Sequence, residues 1–158
     1  MRRCLSVCTL LVILMAGCTL PKTDGHYSAE FSYDPQQYMI FLAKEIQGVE
    51  NQINSAMSLT VMVIRDEYPA DRATTGVRES LSVVSAARSG VDVMRPPVEY
   101  TDTRERVLEI LDAIEREFSD LIVELKSQPL DRDRLTELKN LLHGDSVLLA
   151  AVVNAYWK

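Results

Sequence analysis

The sequence is poor in the residues that punctuate and cross-link chains: its 158 positions include 3 Cys, 6 Gly and 6 Pro. So little glycine and proline argues against a turn-rich all-β fold and against a disordered chain. Cations are outnumbered, with 17 Lys and Arg against 23 Asp and Glu, a formal charge of −6 and a pI near 4.9. That balance lacks the basic footprint of a nucleic-acid-binding protein. The two histidines, His26 and His143, have no second histidine or cysteine at metal-ligand spacing, so the sequence supports no zinc or haem site and no cofactor is expected. There is no glycine-rich phosphate loop and no Gly-x-Ser-x-Gly. Ser80, Ser82, Ser85 and Ser89 lack the base and orienting group that a nucleophile needs. They read instead as small residues that let helices approach or that face water, and the chain is not expected to be an enzyme. What remains is ordinary globular composition, 47% hydrophobic and 25% charged, in a chain long enough for one domain with a sizeable core.

Arg2 and Arg3 precede a charge-free stretch of 14 residues, Cys4 to Gly17. A helix needs roughly 20 apolar residues to cross a bilayer, so this stretch is too short to span and has the length and flanks of a secretory signal. It ends in Leu14-Met15-Ala16-Gly17-Cys18. This run resembles the lipobox of bacterial lipoproteins: an aliphatic residue, two small residues and a cysteine, here with Met15 where leucine is commoner. The resemblance covers residues 1–18. It implies cleavage of a signal peptide at 1–17, a lipid on the Cys18 thiol and usually a further acyl chain on its amine; two such signals anchor stably where one does not. Cys4 and Cys8 would leave with the signal, so the mature chain could form no internal disulfide. Loss of Arg2 and Arg3 leaves 15 basic against 23 acidic side chains, a net of −8. By the same resemblance, Thr19 in place of an aspartate after the lipidated cysteine favours the periplasmic side of the outer membrane.

Residues 18–33 are polar, contain Pro21, Gly25, Ser28 and Ser32, and show no amphipathic period. They read as a flexible tether. Its 15 residues beyond Cys18 reach at most about 50 Å, which keeps the following domain near the membrane.

Prolines divide residues 34–158 into four segments with helical period, over about 34–68, 71–95, 102–128 and 131–157. The first has Asp34 as N-cap, Pro35 at the first helical position, Gln37 to close a capping box and Tyr33 with Tyr38 as a hydrophobic staple. Its stripe is Leu42, Ile46, Val49, Ile53, Ala56, Thr60 and Val63, and Tyr68-Pro69 marks its end. Asp71 is the expected cap of the second, with Val77, Leu81, Val84, Val91 and Met94 inward. The third opens on a capping box, Asp102 to Glu105, and turns Val107, Leu111, Ile114, Phe118, Leu121 and Leu125 inward. Asp131 caps the fourth, with Leu130 and Leu135 as staple and Leu135, Leu138, Leu142, Leu149, Val152 and Tyr156 as seam. Four amphipathic helices on short connections predict an all-α, up-down-up-down four-helix bundle; an open array of two hairpins is the alternative.

Several features ask for more than a seam. The third helix holds eight carboxylates, Asp102, Glu105, Glu109, Asp112, Glu115, Glu117, Asp120 and Glu124. Asp112–Arg116 and Arg116–Asp120 at i, i+4 suit a solvated face, and docking of a basic partner is the competing use. Arg88 and Asp145 fall in or beside their stripes at similar height. They either pair across the core or are turned outward by phase shifts at Gly90 and Gly144. Residues 38–43 and 147–153 are apolar on every side, more than the roughly 100° stripe that a helix buries. Either they cover each other, or they form a groove for a partner helix, a dimer contact or a surface resting on lipid. On the second reading Tyr38, Phe41, Tyr156 and Trp157 are the candidate contacts, because aromatic residues dominate binding hot spots. Met57 to Ile64, also apolar on most sides, is expected to be buried between the second and fourth helices.

The whole organisation is similar to that of small helical bacterial lipoproteins. In architecture alone it loosely resembles the pilotins of type II secretion, four-helix lipoproteins that grip a helical tail of the secretin. Pilotins of that class commonly carry a disulfide that this chain cannot form, and no binding residue carries over. The resemblance implies a non-enzymatic, lipid-anchored domain that binds another envelope protein; the alternative is a structural or self-associating envelope protein without a specific client. Its contacts would be the membrane, through the lipid on Cys18, and another protein or a second copy of itself.

Overall fold

The computed structural model describes residues 34–155. Cys18, Thr19, the expected signal and tether, Tyr33, Tyr156 and Trp157 lie outside the described residues. Within them the fold is four helices, α1 (Pro35–Ile64), α2 (Ala70–Val93), α3 (Thr101–Glu124) and α4 (Arg132–Asn154), with a short 3-10 turn at Val98–Tyr100 and no strand among the described residues. α1 packs on α2 and α4, and α3 packs on α2 and α4, while the pairs α1–α3 and α2–α4 do not adjoin.

The inward stripes of α1 and α3 are buried at every position that the periodicity selects, from Leu42 to Val63 and from Val107 to Leu125. Thr60 is tolerated in the α1 core because its hydroxyl donates to the Ala56 carbonyl at 2.8 Å. In α2 the step of three, Val84 to Ala87, replaces a step of four and puts Ala87 in the core where Arg88 was a candidate. In α4 the seam passes through Val153, and Val152 is half-buried.

The helix ends differ from the sequence expectation, and the physics is local. α1 stops at Ile64, before Tyr68-Pro69. Asp66 adopts a left-handed conformation (φ 59°), its N–H donates to the Val63 carbonyl at 3.0 Å, and the Glu67 N–H donates to Met62 at 2.8 Å. This is a Schellman closure with aspartate where glycine is usual, and Arg132 holds the aspartate carboxylate at 2.5 and 2.7 Å. Asp34 stands at the N-cap of α1 without a side-chain cap bond. Asp71 and Asp102 lie inside first turns instead of capping; Pro69 precedes α2, and the 3-10 turn runs directly into α3. Asp131 does cap α4, accepting from the Arg134 N–H at 2.9 Å. α3 ends at Glu124. There the Ser127 hydroxyl donates to the Glu124 carbonyl at 2.7 Å, and the Glu124 side chain accepts from the Asp131 N–H at 3.1 Å. At the end of α2, Arg104 of α3 donates to the carbonyls of Val91 and Asp92 and pairs with the Asp92 carboxylate at 3.0 Å. A neighbouring helix thus supplies donors to last-turn carbonyls that have no partner within their own helix.

Candidate interaction surface

The start of α1 is not the open apolar surface that its composition suggests. Tyr38 is 1% exposed, and its ring stacks on Tyr100 of the 3-10 turn with centroids 5.6 Å apart. Its hydroxyl is sealed from solvent without a hydrogen-bond partner, and burial pushes the phenol above its ordinary range although Arg104 opposes this. Met39 and Leu42 are core residues as well. Phe41 is half-buried, with its Cζ 3.7 Å from the place a Cβ on Gly90 would occupy, so it lies against the end of α2. Tyr38 is therefore a core residue and not a contact residue; in the segment 38–43 only Ile40 is strongly exposed, at 61%. The run of 57–64 is split. Leu59 packs on Gly76 of α2, Thr60 and Val63 are core, and Met57 and Val61 line an open groove against α4 with Asn54, Ser58, Lys139, Asn140 and His143. His143 is exposed in that groove, and no group of three or more His, Cys, Asp or Glu converges among the described residues.

The pairing proposed for Arg88 and Asp145 does not form, because α2 and α4 do not adjoin. Arg88, a third exposed, emerges at the rim of α2 and binds Asp112 of α3 at 2.5 Å, with Glu115 at 3.8 Å. Both carboxylates, the hydrogen bond to Asp112 above all, hold its guanidinium charged. Asp112 thereby serves the α2–α3 rim instead of an i, i+4 contact with Arg116. Asp145 faces α3, where it meets Glu117. Glu117 was one of eight acids on the sequence of α3. The available signal was its place on the flank Ile110-Ala113-Glu117-Leu121, an otherwise apolar row at helical spacing.

Exposed apolar surface gathers instead on the outer side of α4. Leu141, Val147 and Leu148 are 45%, 55% and 50% exposed, and Gly144, Ala151 and Ala155 are exposed on the same side. From Ser146 to Trp157 the sequence has no charged residue. Beside this face, a cleft of about 300 Å³ opens between α3 and α4, lined by Asp102, Thr103 and Arg106 and by Leu148, Ala151, Val152 and Ala155. The Thr103 hydroxyl is buried there without a partner. This side of the molecule thus combines an apolar floor, small residues that admit a close backbone and a polar rim on one side.

Compared with family models, with curated proteins and with solved structures, the chain matches none.

Proposed function

We propose that the protein is a lipid-anchored helical lipoprotein of the bacterial envelope, facing the periplasm from the outer membrane, and that its domain is a non-enzymatic binder of another envelope component. The anchoring half of the reading rests on the Leu-Met-Ala-Gly-Cys run that ends at Cys18, and the membrane side rests on Thr19. The binding half is carried by one observation, the outer side of α4 where Leu141, Val147 and Leu148 stand in solvent beside the α3–α4 cleft. An up-down-up-down bundle is part of the reading. In its support, Arg104 reaches Asp92, Arg134 lies 3.8 Å from Asp120, and Arg132 holds Asp66, contacts that join helix ends to the starts of their neighbours.

The test is a photo-crosslinking residue at Leu148 in the full chain expressed in native envelopes, beside Cys18→Ser. The expected result is a discrete adduct at Leu148 that an added Val147→Lys abolishes, and release of the Cys18→Ser chain from the membrane fraction. An adduct only with lipid, or none, rejects the binding face; a Cys18→Ser chain that stays anchored rejects the lipid anchor. An adduct of this chain with itself selects the structural, self-associating alternative.

A further inference from the structure

The α3–α4 seam contains a pair of carboxyl groups that face each other without a base between them. Glu117 projects from α3 and Asp145 from α4, within hydrogen-bonding reach of one another, and Glu117 Oε2 is sealed from solvent with no donor in contact. Two carboxylates are both acceptors, so such a contact is a hydrogen bond only when one of them carries a proton. With both ionised it is a like-charge repulsion in a desolvated place.

We propose that Glu117 and Asp145 share one proton across the α3–α4 seam and form a pH latch, which binds α3 to α4 while the proton is present and loosens that seam when it is lost to solvent.

The surroundings favour the protonated state and assign the proton to Glu117. Burial first, then the charge of Asp145, push the Glu117 carboxyl up to about 7; Arg116 opposes this and Asp120 adds to it. Asp145 is raised by burial but drawn down by Arg116 and by the hydrogen bond from Glu117, which makes it the acceptor. No other element among the described residues brings a countercharge to the pair. Arg134 of α4 is committed to Glu137 at 2.7 Å, with Asp120 at 3.8 Å. Arg88 of α2 is committed to Asp112 and Glu115 on the other flank of α3, and α2 has no charge between Glu79 and Arg88. α1 has none from Asn51 to Ile64, the stretch whose Asn54, Met57 and Ser58 share a groove with Asn140 and the exposed, titratable His143. The 3-10 turn abuts the start of α3, and its one charged side chain is the exposed Glu99. The latch also sits under the proposed binding face: Asp145 lies between Leu141 and Leu148 on one side of α4.

The sign follows from linkage. Glu117 holds its proton more tightly folded than unfolded, so its contribution is full below its ordinary value near 4.5 and is lost as pH rises through about 7. Across that window the folded-to-unfolded ratio falls by up to about tenfold per pH unit, less for a partly exposed pair. The experiment follows thermal unfolding of the full chain in neutral detergent from pH 5 to 8.5, for the wild type, Glu117→Gln and Asp145→Asn. The wild type should melt progressively lower as pH rises. Glu117→Gln, whose amide donates to Asp145 at every pH, should show a flat profile and exceed the wild type at pH 8.5. Asp145→Asn should flatten the profile as well. In the wild type, amide exchange at the α3–α4 seam, corrected for intrinsic rate, should quicken by more than at the α1–α2 seam. A wild-type profile that does not fall, or a Glu117→Gln profile that falls equally, overturns the latch. Carboxyl NMR of the wild type decides the matter even if a variant does not fold: a Glu117 midpoint between 4 and 5 also overturns it.

Discussion

Tyr38 is where composition and packing disagree most sharply, and two substitutions separate them. The side chain is 1% exposed, its ring is stacked on Tyr100, and its hydroxyl is buried without a partner. Tyr38→Ala removes a full aromatic ring from a site that cannot collapse without moving the 3-10 turn, and such truncations cost about 3–5 kcal/mol. Tyr38→Phe keeps the ring and the stack but deletes the orphaned oxygen. A buried polar group without a partner costs about 1–3 kcal/mol, so this variant should match the wild type or exceed it by about 1 kcal/mol. For a domain of this size that gain is a rise of about 3–6 °C in Tm. Urea unfolding followed by circular dichroism gives both values, provided the slope with denaturant stays that of the wild type. If Tyr38→Ala cost less than about 1 kcal/mol, the residue would be a surface contact after all. If Tyr38→Phe cost more than about 1 kcal/mol, the hydroxyl would have a partner and the reasoning about the orphaned oxygen would fail.

The glycines divide by what a methyl group would meet. Gly48 and Gly144 have open space around a built Cβ, so Gly48→Ala and Gly144→Ala should each add about 1 kcal/mol by helix propensity, additively, as read by Tm. At Gly76 the Cβ would fall 2.7 Å from Leu59 Cδ1, so Gly76→Ala must displace a packed side chain and should not stabilise. Two of the four expected aspartate caps should also separate: Asp131→Ala removes an observed bond to the Arg134 N–H and should cost about 1 kcal/mol, whereas Asp34→Ala, with no such bond to lose, should change stability by only a few tenths in the same assay.

Periodicity identifies the inward stripes of α1 from Leu42 to Val63 and of α3 from Val107 to Leu125, because a stripe depends only on the helix itself, but not the buried Tyr38, Met39 and Thr103. It is less reliable wherever a residue's fate depends on a neighbour distant in sequence. Tyr38 is buried because Tyr100 covers it, and nothing near Tyr38 announces that cover. Tyr68-Pro69 predicts the end of the first helix by a strong local rule. The chain turns earlier because Asp66 takes a left-handed conformation and Arg132, 66 residues on, holds its carboxylate. The carbonyls at the end of α2 are satisfied by Arg104 of the next helix, a long-range contact with no local motif. The phase of each helix brings Arg88 and Asp145 into or beside its stripe and leaves open whether they pair or turn outward, because adjacency around the bundle, which keeps α2 from α4, is not encoded in the phase of either helix.

The acids of α3 show how that adjacency turns composition into chemistry. On the sequence they form one acidic row, which suits water or a basic partner. In the fold they are divided among neighbours. Asp112 and Glu115 meet Arg88 on the α2 side, Asp120 approaches Arg134 on the α4 side, and Glu124 closes the turn into α4 through Ser127 and the Asp131 amide. Each of these four carboxylates has a cation or an N–H or O–H donor to justify its charge. Glu117 has instead a second carboxyl, Asp145, and a buried oxygen that no donor reaches. A row of similar residues thus contains one member whose carboxyl is pushed up to about 7 and keeps its proton below neutral pH, and it lies on the helix flank that supports the exposed face of α4. If that face is the binding surface, its geometry is tied to a proton, and the affinity of the partner should fall over the same pH interval in which the α3–α4 seam loosens.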